Sequence, residues 1–196
     1  NRGIGFELVR QLHLRDHRVI ATCRTSNPAL DALATTTAGK HPVQVEAGVD
    51  VTKDDSVAAL AERLKDRKLN ELIVSAGVLR QESLDDLDFD SIRFQFEVNT
   101  LGPLRVIAGV RHLIRDGGKI GIMTSRMGSI TDNTSGGSYG SPLSTCARNT
   151  FGAPLPPDPR AREPSSLTLH TGLVIPHVPV LCGSLEPVPS SRTPVH

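Results

Sequence analysis

Apolar positions along the chain change period repeatedly, from helical to strand-like and back. Phe6, Leu8, Val9 and Leu12 recur at helical spacing behind Gly3 and Gly5, which predicts a helix entered from a glycine turn. His17 to Cys23, HRVIATC, reads as a strand, Pro28 to Leu33 as a short helix, and the turn-rich run to Pro42 as a loop. Val43 to Val49 alternates apolar and polar residues and suits another strand. Asp54 to Arg67 carries acids in its first turn and bases in its last, which complements the helix macrodipole. Leu69 to Val78 is the next strand, leaving through Ala76 and Gly77, and Ser83 to Asp90 is acidic and solvated. Ile92, Phe96, Val98, Leu101, Leu104, Ile107 and Val110 mark a long helix, which Pro103 is expected to kink near Thr100. Lys119 to Thr124 is a short apolar run between Gly117-Gly118 and a polar loop, the pattern of a buried parallel strand, and a helix follows. Such alternation predicts an α/β domain built on a doubly wound parallel sheet.

In open α/β sheets ligands bind beyond the carboxyl ends of the strands, so Ser125, leaving the Lys119–Thr124 strand, is a candidate for chemistry. The segment TSRMGSITDNTSGGSYG, with VNTLGPLRV upstream and NRGIG at the start, resembles the short-chain dehydrogenase/reductase family, nearest its C-factor and sniffer-type carbonyl reductases. The resemblance implies a Rossmann-type, three-layer α/β/α fold whose first strand is missing here. It also implies that Ser125 polarises a substrate carbonyl and that Asn99 orders a water in a proton relay. The family's catalytic Tyr and Lys fall at positions 141 and 145, which are Ser141 and Thr145. A cation one helical turn from a phenol favours the phenolate and brings a pKa of about 10 closer to working pH. Ser and Thr offer neither the acidity nor the charge. Tyr139, the only tyrosine, is the alternative acid, set against a loop or helix-cap role.

Cofactor contacts are implied by the same resemblance at Arg2, Gly3 and Ile4 in the glycine turn, at Asp50 and Val51, and at Ala76 and Gly77. Further along, Gly172 and Val174 in LTLHTGLV would lie near the nicotinamide. Glycine turns let backbone N–H groups approach a phosphate at a helix N-terminus. Arg24, at the end of the His17–Cys23 strand, stands where an acid would hold the ribose hydroxyls of NAD, and an Arg suits the 2′-phosphate of NADP. NADP(H) is therefore expected over NAD(H). Read alone, Asp50 equally begins the next helix, and either Arg equally serves as a surface charge.

Composition narrows the function class. A net charge of +1, with acids and bases interspersed, gives no field that would attract nucleic acid or an anionic membrane. No apolar run is long enough to span a bilayer and no signal-peptide pattern is present, so a soluble, cytoplasmic protein is expected. Cys23, Cys146 and Cys182 lack ligand or disulfide spacing, and seven histidines without paired spacing read as surface or strand-edge residues, so no metal site is expected. The reading is one incomplete domain over residues 1–175, with an irregular proline-rich tail over 176–196. The expected function is NADP-linked oxidation or reduction at the alcohol or carbonyl group of a small molecule, with catalysis impaired at positions 141 and 145, and a homodimer is possible. The alternatives are a non-catalytic relative that binds nucleotide or a partner, and a fragment that does not fold.

Overall fold

The computed structural model describes residues 1–36, 41–131, 137–152 and 165–171. Helices and strands alternate from the start. They are α1 (Gly3–Leu14), β1 (Ile20–Thr22), α2 (Pro28–Thr35), β2 (Gln44–Glu46), α3 (Asp54–Arg63), β3 (Leu69–Val74), α4 (Phe89–Phe96), α5 (Gly102–Val110), β4 (Ile114–Ser125), α6 (Gly140–Gly152) and β5 (Ser165–Thr171). Every strand pair is parallel, as helix-connected strands require.

The strands form two sheets, β1-β2 and β3-β4-β5. The break falls where a Rossmann sheet, ordered 3-2-1-4-5-6, places its first strand, and the described residues contain no strand to fill it. The doubly wound sheet expected from the sequence is thus realised in two parts. Each part has its own core. Val57, Leu60, Val106, Ile107, Ile120 and Ile122 belong to the larger cluster, which joins α3 and α5 to β3 and β4. Ala21, Cys23, Leu30 and Val43 form the smaller one, packed by Phe6 and Val9 of α1. Ile20 of β1 packs against the larger cluster and links the two.

Several boundaries depart from the periodicity. β4 starts at Ile114 rather than Lys119, because a bulge allows Leu69 to pair with Ile114 and Glu71 with Lys119. Gly117 takes φ +73 within it, a backbone region open to glycine. β3 ends at Val74 rather than Val78, and the reason lies in Asn99. Its side-chain amide accepts from the Val78 N–H at 2.8 Å and donates to the Val78 carbonyl at 2.9 Å, replacing the strand partner that Val78 lacks. The long helix does not run straight through Pro103. Between α4 and α5 it opens into a π-helical segment, Glu97–Leu101, because a proline cannot donate to the carbonyl four residues back.

One expectation is corrected. His13 is not a surface residue but 1% exposed, and neither ring nitrogen has a hydrogen-bond partner among the described residues. It continues the helical stripe of Phe6 and Val9, so periodicity carries it inside whatever its polarity.

Candidate active site

Ser125 is the last residue of β4, paired in register with Thr171 of β5, and it caps the 3-10 turn Arg126–Gly128. Its Oγ accepts from the Met127 N–H at 3.3 Å, which holds the hydroxyl at the strand's carboxyl end. The turn is pressed against α6. A Cβ on Gly128 would stand 2.6 Å from Thr145 Cγ2 and 2.8 Å from Asn149 Nδ2, so only glycine allows this approach. Asn149 completes the seam by donating to the Gly128 carbonyl at 3.2 Å and accepting from Thr124 Oγ1. The loop between the turn and α6 passes through 132–136, outside the described residues.

The inward face of α6 is polar. Ser141, Ser144, Thr145 and Arg148 follow each other at helical spacing and are all buried, between 0% and 7% exposed. Ser141 and Thr145 thus face inward, where the family's Tyr and Lys are expected, with short neutral side chains. Ser144 Oγ donates back to Gly140 O at 2.6 Å and accepts from Asn99 Nδ2 at 3.0 Å. Asn99 is held three times: it donates both amide hydrogens, to Val78 O and Ser144 Oγ, and its oxygen accepts from the Val78 N–H. It pins the exit of β3 to the start of α6. Tyr139 is half-buried just ahead of the helix, its carbonyl accepting from Leu143 N at 3.2 Å.

Another polar group locks α6 in place. Glu82, 7% exposed, accepts from Ser91 Oγ at 3.0 Å, from Gln95 Nε2, and from the Gly140 N–H at 3.2 Å. Its carboxylate therefore sits at the positive N-terminus of α6 and ties that helix to α4.

The residues implied to hold a cofactor are spread over both sheets. Gly3 has φ +54 at the N-terminus of α1, and a Cβ built there meets nothing within 4 Å. Arg2 and Arg24 are exposed, and Ile4 is half-buried in the first turn of α1. Asp50 uses its carboxylate locally, accepting from Thr52 N at 2.9 Å and Thr52 Oγ1 at 2.8 Å. These bonds, with Arg24 and Lys53 nearby, hold its pKa below the usual carboxylate value. Val51 is turned toward α5, its Cγ2 2.8 Å from where a Gly102 Cβ would be. Gly172 and Val174 lie outside the described residues.

Gly77 behaves differently. A Cβ there would lie 3.5 Å from Asn99 Oδ1 and 3.9 Å from Arg148 Nη1, so its missing side chain leaves a small polar cradle. Arg148 is 6% exposed, its Nε has no hydrogen-bond partner among the described residues, and desolvation lowers its pKa to about 10. An open glycine turn at α1 and an unsatisfied buried donor beside Gly77 fit a phosphate-bearing cofactor. Arg148, Ser144 and Glu82 escaped the sequence reading. The available signal was spacing: Arg148 stands seven residues past Ser141, on the same helix face. Cys23 and Cys146 are free thiols, and no cluster of metal-ligating side chains occurs among the described residues.

Known proteins share this fold. A family model described as short chain dehydrogenase matches residues 1–142. The chain is 44% identical over 176 residues to a 1-hydroxy-2-glutathionyl-2-methyl-3-butene dehydrogenase of Rhodococcus sp. (strain AD45), spanning 89% of this chain and 74% of that protein. Among solved structures, a carbonyl reductase from Pseudomonas aeruginosa PAO1 in complex with NADP superposes with a TM-score of 0.77 at 27% identity, covering 88% of this chain and 79% of that one. The carbonyl reductase Sniffer of D. melanogaster shares the fold, with a TM-score of 0.74 at 23% identity over 86% of this chain and 76% of that chain. With its Rossmann strand order, its serine at the end of β4 and its glycine turn at α1, the chain belongs to the short-chain dehydrogenase/reductase family of oxidoreductases.

Proposed function

We propose that the chain is an NADP(H)-dependent oxidoreductase of carbonyl and alcohol groups that has kept its binding site and lost most of its proton-transfer capacity. The carrying observation is the inward face of α6, where Ser141 and Thr145 are buried in the places that an acid and a cation would occupy. NADPH, when bound, supplies a hydride to the carbonyl carbon, and the carbonyl oxygen must then gain a proton. Ser125 would donate a hydrogen bond to that oxygen and hold it. A serine hydroxyl at 141, with no charge at 145, does not give up a proton readily at neutral pH. A shallow hollow of about 220 Å³ between the Arg126–Gly128 turn and α6, lined among others by Met127, Ile130, Leu143 and Cys146, offers apolar surface just beyond the turn that Ser125 caps. The Rhodococcus relative, named for a glutathionyl alcohol, and the reductases named for carbonyl substrates support the same small-molecule class.

Arg24 is exposed at the end of the β1 edge, which favours NADP over NAD because the guanidinium can pair with a 2′-phosphate. Leu101 and Leu104, each 45% exposed, leave an apolar strip suited to a homodimer.

Titration with NADPH, followed by the cofactor's own fluorescence in a chain without tryptophan, tests the binding half. Saturable binding, weakened by Arg24→Ala, is expected. Joint replacement Ser141→Tyr and Thr145→Lys tests the other half, and it should raise carbonyl reductase turnover by about 10²-fold or more, the usual contribution of a positioned acid. Robust turnover by the wild type would overturn the loss of proton transfer and direct attention to Tyr139.

A further inference from the structure

Arg148 stands apart from every other cation described. It is 94% buried by its 6% exposure, and no carboxylate pairs with it among the described residues. Among the described residues the other arginine drawn out of solvent is partnered: Arg105, half-buried, reaches Asp54, Glu97 and the Val51 carbonyl. Burying a guanidinium without an anion or acceptors costs several kcal/mol in general, so a fold does not place one idly.

Geometry says where the charge points. Helical side chains lean toward the helix N-terminus, so Arg148 reaches back over the turn that holds Ser144 and Thr145. Thr145 is short and directs its methyl at Gly128, which leaves that level open to a longer side chain. The guanidinium arrives beside Gly77, with Nη1 3.9 Å from the missing Cβ, and Asn99 Oδ1 borders the same space at 3.5 Å. Both amide hydrogens of Asn99 are spent on Val78 and Ser144, and its Oδ1, which accepts from the Val78 N–H, is a neutral acceptor that supplies no charge to balance Arg148.

We propose that Arg148 is the anion receptor of this site, taking a phosphate or carboxylate oxygen of the bound ligand in the cradle between Gly77 and α6. The planar fork of donors matches either group in a two-pronged fashion, which a lysine matches only as a point charge. Arg148 stays a cation at neutral pH because its pKa, though lowered to about 10, remains far above 7, so its role is electrostatic and it transfers no proton. The assignment rests on reading the Gly77 turn as a ligand site, but it does not require that the ligand be NADP.

Thermal melting of the wild-type chain, Arg148→Met and Arg148→Lys tests it. Each is measured alone, with inorganic phosphate against a chloride control of equal ionic strength, and with NADPH. Without ligand, Arg148→Met should melt no lower than wild type, because it removes a buried unpaired charge and keeps an unbranched stem in the place of the arginine's own. Phosphate should stabilise the wild type beyond the chloride control, stabilise Arg148→Lys less, and give Arg148→Met nothing beyond chloride. A loss of roughly tenfold or more in NADPH affinity for Arg148→Met, the worth of a charge-assisted hydrogen bond, would identify a cofactor phosphate as the anion. Unchanged NADPH affinity with the phosphate effect abolished would identify an anionic substrate group instead. If wild type ignores NADPH altogether, the NADP reading fails and the phosphate series still decides Arg148. Equal phosphate stabilisation in wild type and Arg148→Met, or none in the wild type, overturns the proposal. So does a ligand-free Arg148→Met that melts well below both wild type and Arg148→Lys, since the charge would then be structural.

Discussion

Asn99 and Asp50 show how one side chain is read differently by pattern and by geometry. Both were implicated by motif position. Asn99 proves to be a bracket, its amide standing in for a strand partner at Val78 while it holds Ser144. A polar residue inside an apolar helix announced that it must be satisfied, but its partners lie 21 and 45 residues away and no local pattern names them. Asp50 folds its carboxylate onto Thr52, two residues on and ahead of α3, whose N-cap is Lys53 without a side-chain bond. The consequence is a pH dependence. Its folded pKa is depressed, so on acidification the unfolded chain takes up the proton first, and the stabilisation present above about pH 4 is lost as the pH falls through the folded value. Melting temperatures recorded between pH 5.5 and 2.5 should fall less steeply in Asp50→Asn, which keeps the acceptor and removes the titration. The difference should stay under about 1 kcal/mol, because the carboxylate is largely solvated. Identical acid limbs would show that the Thr52 bonds do not outlast thermal motion in solution.

Among the elements, α6 depends most on its neighbours. Its own residues pattern poorly: the inward face is Ser141, Ser144, Thr145 and Arg148, so little apolar burial drives it onto the sheet. Polar docking does that work, through Glu82 at its first turn, Asn99 in the middle and Asn149 near its end. The pattern after the Lys119–Thr124 strand predicts a helix here, whereas Glu82, just ahead of the acidic Ser83–Asp90 stretch, carries no local sign of its burial. Replacing Glu82 by Ala strands the Gln95 amide and the Gly140 N–H together and should destabilise the chain by about 1–3 kcal/mol in urea unfolding. Hydrogen exchange at the first turn of α6 should accelerate more than in β4. Uniform loss across the chain would mean that Glu82 supports the whole core instead of this helix. The interrupted helix around Pro103 was better signposted, since proline predicts both the place of the defect and its cause, while only the structure distinguishes a π-helical bulge from a simple kink.

For the molecule as a whole, periodicity recovers β1 to β4 and their parallel sense, while the β5 region was legible only in the family resemblance of LTLHTGLV and strand order only through the family, because pairing partners are far apart in sequence. The division into β1-β2 and β3-β4-β5 is a fact of that non-local level. The two parts differ in core size, four buried apolar residues against twelve among the described residues, so they should differ in opening free energy. Amides at Ala21 and Val45 should exchange before those at Ile120 and Ile122, and matched protection across both sheets would show that they open as one unit. The halves meet through Ile20 against the larger core, through Arg63 of α3 on Glu46 of β2, and at Gly5 of α1, where an added Cβ would stand 3.3 Å from Ser75 Oγ beyond β3. The candidate ligand residues straddle that seam, with Gly3 and Arg24 on one side and Gly77 and Ser125 on the other. A dinucleotide spanning them would work as a strut, spending part of its affinity on holding the two parts at one spacing. Its grip is then set by how stiffly the seam resists shear as well as by the groups it touches.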